Sequence, residues 1–444
     1  MRIRFRYLPI IFLFLITLTL SAQEKYLQSG PMVGYSEMME VLLWVQTNAP
    51  ASVQFSYYEE GQPAQKYRTA EVRTELHSAY TAKLVADQVE PGRKYTYELY
   101  INGKLVKRPY PLKFQTQHLW QWREDPPPFR FVIGSCFYVN ETEYDRPGKP
   151  YGDHYEIMTA IYQQQPDFML WMGDNTYLRE VDWYSRSGIL HRNTHTRSLP
   201  ELQPLLGSVH HYATWDDHDY GPNNSDRSFR QKADTREAFE LFWGNPTYGI
   251  DGGPGITTMF QWADVDFFLL DNRTFRTPNR RSTGERTILG KQQLQWLIDA
   301  LNASEAPFKM VVMGGQFLNP YNGYENYSGF PEEREQILRA ISENDIYGVI
   351  FFDGDRHHSE LSKLDRPGRY PIYDLTVSPF TAGPNPNAAT EANYLRVENT
   401  FYGDRNFALL EVSGPRKDRV LKISLRDKTG AERWQQEIRT QALR

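Results

Sequence analysis

Apolar residues between Ser29 and Thr116 recur mostly at every second position. Val41-Leu42-Leu43-Trp44-Val45 is followed by Val53, Phe55 and Tyr57, by Tyr80, Ala82 and Leu84, and by Tyr95, Tyr97, Leu99 and Ile101. Turn residues, among them Pro91-Gly92 and Asn102-Gly103, separate these runs, so the pattern predicts a small β-sandwich over residues 29–118. Trp120 to Pro128 ends in three prolines and reads as a stiff linker. From Phe129 onward strand and helix patterns alternate, which predicts a layered α/β domain over residues 129–426. Its strands are expected at Phe129–Ser135, Phe168–Met172, Val209–Trp215, Phe267–Leu270, Phe308–Met313 and Tyr347–Phe352. Helices are expected at Tyr155–Gln165, Asp234–Trp243, Lys291–Leu301 and Glu332–Ile341. Three more strands, Ile372–Val377, Phe407–Val412 and Val420–Leu425, close the domain, and residues 427–444 are left as a tail. The polar run Ser378–Asn399 is expected on the surface. So is the insertion that carries His191, Arg192, His195 and Arg197, as a solvated loop.

The first residues depart from this pattern. Arg2, Arg4 and Arg6 precede an apolar run from Leu8 to Leu20, and Ser21-Ala22 offers small residues before Gln23. This reads as a cleaved signal peptide over residues 1–22, and the mature chain is expected in the periplasm or secreted. The run is shorter than the ~20 residues a bilayer needs, and no Cys follows it, so neither a membrane anchor nor a lipid anchor is expected. The formal net charge is -5, and residues 1–22 hold three Arg and no acid, which leaves -8 on the remainder. A nucleic-acid-binding surface is not suggested. Cys136 is the only cysteine, so no disulfide can form within the chain.

Four predicted strands run straight into polar residues that can bind metal: Gly134-Ser135-Cys136, Gly173-Asp174-Asn175-Thr176-Tyr177, Trp215-Asp216-Asp217-His218-Asp219 and Gly354-Asp355-Arg356-His357. Ligands collect at strand ends in α/β sheets. Hydrolysis of a phosphate ester needs an activated water, charge neutralisation on the phosphoryl oxygens and a proton for the leaving alcohol. Two metals bridged by a carboxylate supply the first two needs, and Asp174 is the candidate bridge. Tyr177 binds metal well only as a phenolate, and with a free pKa of ~10 its natural partner is a hard trivalent cation such as Fe3+. Cys136 as thiolate and His357 complete that half. Asp174, Asp217, Asp355 and Asn224 offer only oxygen to the other half, which suits Ca2+ better than zinc. Other divalent metals are an alternative there. His218 is the candidate to hold or protonate the substrate, with Asp219 orienting it.

The ordered set resembles the calcineurin-like metallophosphoesterases and, more narrowly, the PhoD-type alkaline phosphatases. In the general superfamily the first motif is Asp-x-His and the third Gly-Asn-His-Glu. Here Gly-Ser-Cys136 stands in the first place and Asp-Asp217-His218-Asp219 in the third, departures that match the PhoD type. Leu270-Asp271-Asn272-Arg273-Thr274-Phe275-Arg276 is similar to that family's Leu-Asp-x-Arg-x-x-Arg segment. The helix containing Leu289-Gly290 and Gln295-Trp296-Leu297 is similar to its Leu-Gly-x-x-Gln-x-x-Trp-Leu stretch. The stretch Val89 to Tyr100 resembles the penultimate strand of fibronectin type III-like domains, where a Tyr packs the sheet corner. The resemblance implies a metallophosphoesterase domain behind an immunoglobulin- or fibronectin-like sandwich, with an Fe3+ and Ca2+ site acting on small-molecule phosphate esters. Monoester and also diester hydrolysis are expected, from a monomer. Arg273 and Arg276 are candidates for binding substrate phosphate, with a structural salt bridge as the alternative for each. Two other readings stand beside this one: a phosphodiesterase or phospholipase-type hydrolase on the same site, and a non-catalytic adhesion or glycan-binding protein.

Overall fold

In the computed structural model, which describes residues 24–444, the strand Phe168–Met172 is buried along its whole length. Five apolar residues without alternation require cover on both faces. The strand pairs in parallel with Phe129–Gly134 on one side and His210–Thr214 on the other. These three form the centre of a nine-stranded sheet. A six-stranded sheet, in the order Thr258–Trp262, Val265–Leu269, Lys309–Val312, Val349–Asp353, Arg369–Thr376 and Glu360–Arg366, packs against its face. Aromatic side chains fill the interface: Phe131 and Phe168 stack at 4.8 Å, and both meet Phe267 of the second sheet edge-on, at 5.3 and 5.4 Å. The helices Glu156–Gln163 and Lys232–Phe242 cover the outer face of the first sheet, and Gly290–Ala303 and Pro331–Glu343 cover that of the second. The layered α/β architecture expected from the alternation is therefore present. Cys136, Asp174, Asp217 and Asp355 all lie just past the carboxyl ends of parallel strands.

The N-terminal region is two-layered but is not a free-standing sandwich. Ser52–Glu59 and Lys94–Ile101 belong to a small sheet of their own, whereas Leu27–Ser36, Val41–Thr47 and Thr81–Ala86 continue the nine-stranded sheet. The junction is a parallel pairing of Leu27–Ser36 with His210–Thr214, in which Val33 faces His210. It is reinforced where Ser36 N–H donates to the Tyr212 hydroxyl at 3.0 Å and where His210 Nδ1 meets the Gly34 carbonyl at 2.8 Å. An open edge beside His210–Thr214 needs a partner, and the N-terminal strands supply it. The expected tail is also structured. Glu432–Arg439 is the antiparallel edge strand beside Val420–Asp427, with Ile438 and Leu443 buried under it. A third correction concerns the insertion: Arg186–Arg197 is a helix, capped where Ser185 Oγ accepts from Gly188 N–H at 3.1 Å. Arg192 is buried between Asp182 and Glu141, at 2.8 and 2.6 Å, and Arg197 lies 3.9 Å from the Trp243 ring. Buried arginine stems stand in for the apolar stripe by which a helix is recognised. The start of the polar run is likewise internal, since Ser378, Phe380, Thr381 and Ala382 are fully buried. No helix among the described residues is long and apolar enough to cross a membrane. The leader predicted over residues 1–22 lies outside the described residues.

Two core histidines give this fold an acid-sensitive step. Gln115 N–H donates to His210 Nε2 at 3.1 Å while His210 Nδ1 faces Gly34, and Trp171 Nε1–H donates to His211 Nδ1 at 3.0 Å while His211 Nε2 faces the Leu205 carbonyl. Each ring already accepts one proton-bearing donor, so a second ring proton must break that bond. Burial lowers His210 to about 4 and His211 to about 3. With folded values below the ordinary 6.5, the unfolded chain binds more protons between pH 6.5 and 4. Stability is then fully present above pH 6.5 and falls as pH drops, by about 3 kcal/mol for His210. Denaturant midpoints measured from pH 7 to 4.5 should fall, and His210→Gln or His211→Gln should flatten the slope. An unchanged slope in both variants would rule this out.

Candidate metal centre

The site is built by backbone that few residue types tolerate. Cys136, Asp174, Asn224, Asp355 and His357 all have left-handed φ, between 53° and 63°. Outside glycine that region is sparsely used, and its residues cluster where function holds them. Cys136 N–H donates to the Gly173 carbonyl at 3.3 Å and Phe137 N–H to that of Asp174 at 2.8 Å, which clips the first two strand ends together. Gly354 N–H donates to the Gly314 carbonyl at 2.8 Å and brings the fourth end alongside.

These turns bring Cys136, Asp174 and His357 within 4.8 Å of one another through their ligand atoms. The Tyr177 hydroxyl joins them, 3.0 Å from Asp174 Oδ2 and 3.3 Å from His357 Nε2. His357 Nδ1 lies 2.6 Å from the Gly383 carbonyl. That contact puts the ring proton on Nδ1 and leaves the Nε2 lone pair facing the cluster. Burial holds His357 at about 4, so the ring is neutral. Burial, and then the Asp174 carboxylate, push both the Cys136 thiol and the Tyr177 phenol well above their ordinary ranges. Ser378 Oγ–H donates to Cys136 Sγ at 3.1 Å.

Asp174 also faces a second group. Asp174, Asp217 and His218 come together, as do Asp216, Asp217 and Asp355. Burial and the neighbouring aspartates drive Asp174 and Asp355 well above the carboxylate range. For Asp217, burial is outweighed by His218 and Arg273, and it is held at about 2. Asp216 Oδ2 and Asp217 Oδ1 are buried without a hydrogen-bond partner. Carboxylates packed this way call for a cation. The donor set fits two different metals, one half with sulfur, phenol and imidazole, the other dominated by carboxylate oxygen.

Residues 131–406 match the sequence model of the PhoD-like phosphatases. The chain belongs to this family. A domain of unknown function matches residues 24–119. Alkaline phosphatase D of Bacillus subtilis (strain 168) is 24% identical over 341 residues, which are 64% of this chain and 54% of that protein. The chain thus spans about half the length of that curated relative. A solved structure of PhoD superposes with a TM-score of 0.76 at 16% identity, over 93% of this chain and 92% of its own. Purple acid phosphatase PPD1 from yellow lupin (Lupinus luteus) seeds does so at 0.64 and 12% identity, over 92% of this chain and 74% of its own. At these identities the structural likeness is one of fold.

Within this PhoD-like site several side chains sit differently from expectation. Asp219 does not orient His218. Its carboxylate accepts from Thr176 N–H at 2.9 Å and Asp216 N–H at 3.0 Å, so it caps the turn Asp217–Tyr220. The His218 ring instead stacks on Tyr177 at 4.3 Å, and its backbone N–H donates to Asp174 Oδ1 at 3.2 Å. Asn224 is exposed, and its backbone N–H donates to Asp217 Oδ2 at 2.6 Å. Arg273 and Arg276 do not line an open surface: both are buried and ion-paired to Glu325, at 2.6 and 3.3 Å. Gln316 is a buried strut, donating to Glu360 at 2.9 Å and Thr376 at 2.8 Å. In the sequence Asp216 is named within its strand end without a role, and Tyr151 is not singled out. Asp216 is distinguishable only as one of a pair of adjacent aspartates. Tyr151, with its hydroxyl 3.2 Å from His357 Nδ1, comes from a loop that carries no motif.

Proposed function

We propose that the chain is an exported metal-dependent phosphatase that hydrolyses phosphomonoesters and, as a second substrate class, phosphodiesters. The observation that carries this is the meeting of Cys136, Asp174, Tyr177 and His357 in one cluster that shares Asp174 with Asp217. Cys136, Asp174, Tyr177 and His357 would hold Fe3+, and Asp174, Asp217, Asp355 and Asn224 would hold Ca2+. When bound, these ions supply an activated water and offset charge on the phosphoryl oxygens. Asp174 faces both halves and keeps them in one frame. His218, braced against Tyr177, borders the shared carboxylates and is the residue assigned to hold the ester or pass a proton to the leaving alcohol. Burial lowers its pKa, so it works mainly as a neutral hydrogen-bond donor at alkaline pH. The basic and apolar leader over residues 1–22 supports export.

The test is turnover of an aryl phosphomonoester beside its diester, with metal analysis of the same sample. Stoichiometric iron and calcium with monoester turnover are expected, and absence of both metals would leave the non-catalytic reading standing. Because oxygen donors dominate the second half, a calcium-selective chelator should lower activity about 100-fold or more. Added Ca2+ should restore it better than Zn2+. Restoration by Zn2+ alone would reject the calcium assignment.

A further inference from the structure

Arg273 lies under the acidic half, fully buried, with the carboxylates of Asp216, Asp217 and Glu325 all within 4.0 Å of its guanidinium. Its Nε and Nη2 both pair with Asp216 Oδ1, its Nη1 donates to Glu325 Oε2 at 2.6 Å and to the Ser225 carbonyl at 3.2 Å, and Nη2 is 4.0 Å from Asp217 Oδ1. Asn272 Nδ2 adds a third donor to Asp216 Oδ1, at 2.6 Å.

Asp216 in turn is wedged between two glycines. A Cβ at Gly173 would sit 2.6 Å from Asp216 Cβ, and one at Gly314 would sit 2.4 Å from Asp216 Cγ. Gly173 precedes Asp174, Gly314 receives the hydrogen bond of Gly354 beside Asp355, and Asp216 itself precedes Asp217. The side chain of Asp216 thus touches the backbone that carries three ligand candidates. It can do so in one orientation only while its Oδ1 is held from below. Glu325 ties the other end of the guanidinium to Arg276, at 3.3 Å, and to Asn279, whose Nδ2 donates to Glu325 Oε1 at 2.6 Å.

We propose that Arg273 is a positioning residue for the calcium half, acting through Asp216 and Glu325, and that it does not bind the substrate phosphate. It fixes Asp216 as the spacer that sets Asp174, Asp217 and Asp355 at one distance from each other. Its charge beside Asp217 also limits the repulsion among these acids before a cation arrives. The inference rests on the calcium assignment above.

The test uses the full mature chain and two variants, Arg273→Lys and Glu325→Gln. Lys keeps the charge but cannot span Asp216 and Glu325 together. Calcium binding is measured by calorimetry on chelator-stripped protein, alongside kcat, KM, inhibition by inorganic phosphate and the visible absorption of the iron half. Arg273→Lys should weaken calcium binding about tenfold or more and lower kcat by a similar factor. KM and the phosphate inhibition constant should stay within about twofold, and the absorption band should not move. A tenfold rise in KM and in the phosphate inhibition constant with calcium binding unchanged would overturn the proposal, since it would mean that Arg273 contacts the phosphoryl group. So would calcium binding and kcat that stay at the parent value in both variants. If Arg273→Lys fails to fold, Glu325→Gln decides alone, with the same signs expected at a smaller size. Absence of calcium binding by the parent protein would instead remove the calcium assignment itself, a result separable from the others because it needs no variant.

Discussion

Asp174→Asn should lower kcat at least about 1,000-fold while the protein still folds. Among the described residues Asp174 is the carboxylate shared by the group of Cys136 and His357 and the group of Asp217 and His218. Its Oδ2 accepts from the Tyr177 hydroxyl at 3.0 Å and lies 3.6 Å from Cys136 Sγ, while its Oδ1 accepts from His218 N–H at 3.2 Å. An amide of the same size keeps one acceptor but turns the other end into a donor, which faces a hydroxyl or an N–H and cannot offer charge to two cations. The fold should survive for a reason visible in the same contacts. Burial and the nearby Asp217 and Asp216 disfavour the Asp174 carboxylate in the metal-free protein, so a neutral replacement relieves repulsion there. The metal-free variant should therefore melt no lower than the metal-free parent, even though turnover is lost. Asp355→Asn should behave alike, because burial, Asp216 and Asp217 act on it in the same sense. Near-parental turnover in either variant would sink the assignment, as would a broad loss of structure on circular dichroism.

The second large effect is optical. If Cys136 and Tyr177 bind Fe3+ as proposed, the purified protein should be coloured, because thiolate and phenolate transfer charge to Fe3+, whereas Ca2+ or Zn2+ there would leave it colourless. Tyr177→Phe should remove the phenolate band and weaken iron retention. Cys136→Ser should shift the colour and lower activity without unfolding, since no disulfide exists to be lost. The physical basis is proton displacement. Burial and Asp174 hold both groups in their protonated forms, so each ionises only beside a strong positive charge. The Ser378 hydroxyl, 3.1 Å from Cys136 Sγ, is ready to donate to the thiolate once it forms. A colourless and fully active enzyme whose Cys136 reacts freely with a thiol reagent would show that the thiol is not a ligand.

Much of the site could be recognised before any folding is considered. Each ligand candidate except Asn224 follows a strand whose apolar run is itself a signal, and Gly or Asp at the break marks the end of that run. The resemblance to the PhoD type depended on the same segments, and residues 131–406 confirm it. Helix and strand positions in the α/β domain came within a few residues for a related reason: alternating buried elements carry their period locally. The strand Thr258–Trp262 was missed although it alternates, and two other elements lacked an apolar pattern. Arg186–Arg197 buries guanidinium groups against Glu141, Asp182 and Trp243, and Glu432–Arg439 buries few side chains beyond Ile438. Neither presents the apolar stripe on which sequence reading relies.

Residue type and local order thus determined the side chains that gather here: a thiol, a phenol, an imidazole and a set of carboxylates at four strand ends. Only the tertiary structure decided what each polar group faces. Asp219 caps backbone near Thr176, 43 residues earlier in the chain, and Arg273 meets Asp216, 57 residues before it, and Glu325, 52 residues after it. The N-terminal strands join the nine-stranded sheet through Val33 and His210. A side chain's donors and charge are written in its own identity, but its partner is set by which distant segments the packing of two sheets brings into reach, and no local period records that.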